Sequence, residues 1–73
     1  MYFIIEIQVN NEGVGSALVT TKEDRNQAES EFHRILQYAA ISELPRHGAL
    51  IVTDRSELMM SGYYEHTQEI EQE

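Results

Sequence analysis

Three histidines, five serines and five cations are the side chains through which this 73-residue chain could do chemistry. Cysteine is absent, which removes thiol nucleophiles, thiolate metal sites and disulfides together. Ser16, Ser30, Ser42, Ser56 and Ser61 stand in no strand–turn–helix context of the kind that activates a nucleophilic hydroxyl. His33, His47 and His66 lack the tight two-ligand spacing of a zinc or nickel centre. A metal would need the fold to gather His47 and His66 with Glu12 and Glu65 at one end of the molecule, and ordinary surface histidines are the simpler expectation. Glu29 and His33, four residues apart, read as neighbours on a solvated helix face. Neither catalytic residues, nor a metal, nor a cofactor is expected.

The cations offer one more candidate. Lys22, Arg25 and Arg55 are placed by the order of elements near the start of the helix, where unpaired N–H groups and the helix dipole favour an anion. Thr20 and Thr21 would add donors. Glu23, Asp24, Asp54 and Glu57 occupy the same loops and compete for the same cations. No glycine-rich phosphate cradle accompanies them.

The positioning elements follow from periodicity. Tyr2 to Val9 alternates, with Phe3, Ile5, Ile7 and Val9 on one side and Tyr2, Ile4, Glu6 and Gln8 on the other, which predicts a strand. Asn10-Asn11-Glu12-Gly13 suits a turn, and Val14 to Thr21 predicts the returning strand. Ala28, Phe32, Ile35, Leu36 and Ala39 recur with the helical period, with Thr21 or Asp24 as caps. Pro45 restricts Leu44 and predicts a helix end near Ser42 or Glu43. Ala49 to Thr53 predicts a third strand, Asp54 to Glu57 a turn, and Leu58 to Tyr64 a fourth strand.

The order ββαββ implies an α+β domain over 1–66, a four-stranded antiparallel sheet with one helix packed on one face. Residues 67–73 read as an acidic, flexible tail. The more apolar side of the first strand leads us to expect Phe3, Ile5, Ile7, Phe32, Ile35, Leu36, Ala39 and Val52 in the core. Tyr2, Ile4, Met59 and Tyr63 would then stand on the uncovered face, with Tyr38 and Ile41 exposed on the helix. These six are the expected dimer or partner interface, since a chain this short with no disulfide commonly gains stability by association.

Thirteen acids against five bases give a net charge of −8, which argues against direct nucleic-acid binding. The opening Tyr2-Phe3-Ile4-Ile5 has no basic lead-in and no apolar run is long enough to span a bilayer, so a cytoplasmic location away from membranes is expected.

The stretches MYFIIEIQ (1–8), RNQAESEFH (25–33) and SELPRHGALIVTD (42–54), in this order, resemble small uncharacterised proteins of Firmicutes phages and mobile genetic elements. The resemblance covers most of the chain and implies genomic setting rather than activity. Small acidic proteins in that setting often antagonise host defence. The expectation is therefore a non-enzymatic, homodimeric binding protein that inhibits or regulates a host protein. A protein that sequesters a nucleotide or another anionic small molecule through the Lys22 end is the alternative.

Overall fold

A computed structural model describes residues 1–66, so the tail expected over 67–73 lies outside the described residues. The elements are β1 (Tyr2–Val9), β2 (Gly15–Lys22), α1 (Arg25–Ala40), β3 (Arg46–Thr53) and β4 (Leu58–Glu65). The four strands form one antiparallel sheet in the order β2-β1-β3-β4, with α1 packed across one face. This is the ββαββ α+β fold that the periodicity predicts.

Both hairpins close with the same turn. In the first, Asn10 N donates to Val14 O and Gly13 N to Asn10 O, with Gly13 at φ 80°. In the second, Thr53 N donates to Glu57 O and Ser56 N to Thr53 O, with Ser56 at φ 67°. Each is a type I turn followed by a left-handed residue, a geometry glycine adopts without a Cβ clash. Asp24 caps α1, its Oδ2 accepting from Gln27 N at 3.1 Å. The last turn tightens, with Ile41 N donating to Tyr38 O and Ser42 N to Ala39 O, so the helix stops at Ala40, ahead of the predicted end. β3 begins at Arg46, directly after Pro45 and three residues before its predicted start.

The core lies between α1 and the sheet. Ala28, Phe32 and Ile35 of α1 meet Ile4 of β1 and Ala49 and Ile51 of β3, with Leu36, Tyr2, Met59 and Met60 packed around them and Ala39 buried further along the helix. Phe32, Ile35 and Ala39 are buried as expected, but the two central strands present the opposite sides. Ile4 and Ile51 are fully buried, whereas Phe3, Ile5, Ile7 and Val52 occupy the other face. The expected interface is corrected accordingly. Ile4 lies under the helix, and Tyr2 and Met59 pack against the core. Met59 sits at a β-bulge opposite the Ile51–Val52 step, which turns both Met59 and Met60 toward the helix.

This arrangement makes a sharp contrast between neighbours. Ile4→Glu would place a carboxylate in the closed core and should abolish the cooperative melting transition. Ile7→Glu, three residues along on the other face, should leave a folded protein, as read by circular dichroism and thermal melting.

Candidate interaction surface

The face opposite the helix is built by four positions from each strand. They are Gly15, Ala17, Val19 and Thr21 on β2; Phe3, Ile5, Ile7 and Val9 on β1; Arg46, Gly48, Leu50 and Val52 on β3; and Leu58, Ser61, Tyr63 and Glu65 on β4. Nothing among the described residues covers it. Leu58 is 64% exposed, Val19 60% and Tyr63 69%. Its charged groups are Arg46 and Glu65, paired at one corner with 3.3 Å between Nε and Oε2. The remaining acids of the described chain lie in loops, on α1, or, for Glu6, under the helix.

A hollow of about 630 Å³ opens on this face between Ile7, Val9, Leu50, Ser61 and Tyr63, floored by Gly48. Gly48 stands directly opposite Tyr63, and a Cβ there would come within 2.5 Å of Gly62 O and of Tyr63 Cβ. Only a glycine lets β3 and β4 approach this closely. The same missing side chain leaves the depression beside the Tyr63 ring, where an apolar group of a partner can sit. A flat, apolar surface with a pocket and a charge-free centre has the composition of the core of a protein interface.

Tyr63 is thus the member of the expected set that stands on the uncovered face. Tyr38 and Ile41 are 64% and 78% exposed at the end of α1, as their position off the helical stripe implies. They line a smaller hollow of about 300 Å³ with Arg34 and Gln37. Their patch lies on the helix side, separate from the sheet face.

The cations expected to hold an anion do share one end of the domain, because Lys22 and Thr53 both pair with Tyr2. One of them is engaged within the helix. Arg25 Nε donates to Glu29 Oε2 at 2.9 Å, which also takes Glu29 away from His33. Lys22 at the end of β2 and Arg55 beyond the end of β3 are separated by two strand spacings, about 10 Å. Among the described residues no group of three or more acidic or histidine side chains is placed to hold a metal ion. No helix of the described residues is long and apolar enough to cross a membrane.

The histidines separate into distinct roles. His66 pairs its ring with the end of the helix, Nε2 lying 2.9 Å from Ala39 O, while its backbone N donates to Pro45 O. His33 is exposed, its ring edge-on to Phe32. His47 is 3% exposed, its Nε2 donating to Glu6 Oε2 at 2.7 Å. Gln8 Nε2 donates to the same carboxylate oxygen at 2.9 Å. His47 Nδ1 is buried with no hydrogen-bond partner among the described residues. His47 is thus a buried member of a polar cluster and not the surface histidine expected from the sequence. The signal in the sequence was two polar residues, Glu6 and Gln8, on one side of an otherwise apolar strand, since buried polar groups require partners.

Burial opposes the charge on Glu6, but the hydrogen bonds from His47 and Gln8, with the nearby positive charges of His47 and Arg34, outweigh it and hold the carboxyl below its ordinary 4.5. A carboxyl depressed in the folded state stabilises the fold at pH values above its unfolded pKa. That contribution is lost as pH falls below 4.5 and through the lowered folded value. The chain matches no protein family model, no curated protein and no solved structure.

Removing His47 leaves Glu6 with the Gln8 hydrogen bond alone. His47→Leu should therefore cost about 1–3 kcal/mol in urea unfolding, the range for a lost hydrogen bond to a charged group. Glu6→Gln should flatten the loss of stability between about pH 5 and pH 3 relative to the unaltered protein. Identical pH profiles for the two would place the acid sensitivity in other carboxylates.

Proposed function

We propose that this protein is a non-enzymatic binding module that docks a host protein on its uncovered sheet face, in the setting of a phage or mobile element. The observation that carries the reading is the face itself. A monomer of this size seldom leaves a whole sheet face apolar, centred on a hollow and free of charge except at one corner. Tyr63, which lines the hollow, and Leu58, further along the same strand on the same face, are the natural anchors, being large and exposed. The acidic loops at both ends of the sheet, with Glu12 at one and Asp54 and Glu57 at the other, would favour a partner whose apolar patch is bordered by basic residues. The setting and the host target rest on the resemblance in three sequence stretches. Sequestration of an anionic small molecule has less support, because the Arg25 guanidinium is engaged by Glu29.

Both anchors are exposed, so charging them should change the stability of the isolated chain by about 0.5 kcal/mol or less. Leu58→Asp combined with Tyr63→Asp should retain the melting temperature yet fail to capture the host protein that the unaltered chain retains stoichiometrically. Equal capture by both proteins would move the binding surface elsewhere, and the helix patch would be tested next with Ile41→Asp.

A further inference from the structure

Among the described residues β2 is an edge strand with no strand paired on its outer side and little cover on either face. Its pairing to β1 is fixed by the first hairpin, in which Asn10 and Val14 form a hydrogen-bonded pair. Alternation from that pair directs the N–H and C=O of Ser16, Leu18, Thr20 and Lys22 toward β1. Those of Gly15, Ala17, Val19 and Thr21 point outward from the sheet. On the open face Val19 is 60% exposed, and on the helix side Leu18 is 63% exposed, because α1 lies over β1, β3 and β4 and reaches β2 least. Natural edge strands are usually blunted by a bulge, a proline or charges. β4 has a bulge at Met59 and acids at Glu57 and Glu65. β2 has none of these from Gly15 to Thr21.

We propose that β2 pairs with β2 of a second copy of this chain, antiparallel about a two-fold axis at Leu18, to form a continuous eight-stranded sheet. An antiparallel pairing must match outward-pointing residues with outward-pointing residues. The two-fold at Leu18 sets Gly15 opposite Thr21 and Ala17 opposite Val19 in both directions. Every outward backbone group from Gly15 to Thr21 is then satisfied, whereas registers shifted either way leave some unmatched. Leu18 meets Leu18 of the second copy on the helix side, and Ala17 meets Val19 on the other. At each end Lys22 comes beside the turn that carries Glu12 of the second copy. The strand thereby has, in its own copy, a partner matched in length, apolar pattern and charge. Both helices fall on the same side, so the open face of each copy remains available and the pairing stands apart from the docking proposed above. The contact is one strand deep and about 27 Å long, which places it at the small end of specific interfaces with association in the micromolar range.

The absence of cysteine makes the register directly testable. Leu18→Cys places two thiols across a non-hydrogen-bonded pair, where the Cα atoms are about 4.5 Å apart and a disulfide can close. Mild oxidation should convert Leu18→Cys to a covalent dimer, while Thr20→Cys, which faces Ser16 of the second copy, and Tyr63→Cys on the open face should remain largely monomeric. In sedimentation, the unaltered chain should pass from monomer to dimer across the micromolar range. Leu18→Lys should stay monomeric with an unchanged circular dichroism spectrum, since Leu18 is exposed in the single chain. A monomer at high micromolar concentration, equal cross-linking at Thr20, or cross-linking at Tyr63 instead would overturn the proposal.

Discussion

Ile4 and Ile51 stand directly opposite one another across the two central strands, and both are fully buried beneath Phe32 and Ile35. This pair sets the orientation of everything else. Side chains alternate along a strand, so once Ile4 and Ile51 face the helix, Phe3, Ile5, Ile7, Leu50 and Val52 must face away. A one-residue slip would exchange the two faces entirely. The uncovered apolar surface is thus a corollary of the core and cannot be altered independently of it.

Hydrophobicity alone does not select that orientation, because β1 is apolar on both sides. Space and polarity do. Gly62 lies beneath Leu36, and a Cβ there would approach Leu36 Cδ1 to 3.0 Å, so the helix settles where the sheet has least bulk. Ala49 continues the low ground on β3. The same side also carries Glu6, Gln8 and His47, with Glu6 accepting from both of the others. The polar cluster and the small residues act at neighbouring points of one face, and each would be misplaced if the strands were reversed.

The elements themselves were legible. Alternation in β1, the helical stripe from Ala28 to Ala39, the Asp24 cap and the turn residues at 10–13 and 54–57 all act locally, so ββαββ follows from the chain without tertiary information. The side of β1 that joins the core was not legible, because counting apolar residues favours Phe3, Ile5 and Ile7 over Tyr2 and Ile4. That choice depends on Gly62 and His47, more than 40 residues away, and on a bulge at Met59 that shifts the period of β4. Of the candidate surface, Tyr63, Tyr38 and Ile41 were recognisable as exposed. The hollow over Gly48 was hidden for the same reason as the face that contains it.

The strand order β2-β1-β3-β4 also has a consequence for how the chain acquires its shape. Each hairpin is closed by contacts local in sequence and can form within about 1–10 μs. The seam between β1 and β3 joins residues such as Ile4 and Ile51 that are 47 positions apart, and it carries the cost of closing that long loop. Folding is therefore expected to be limited by the meeting of two preformed hairpins, with the helix trapped between their sequences and laid across the seam. Until that meeting, the edge of β1 that will receive β3 is as bare as the outer edge of β2, and the nascent chain is briefly open to strand exchange on both sides.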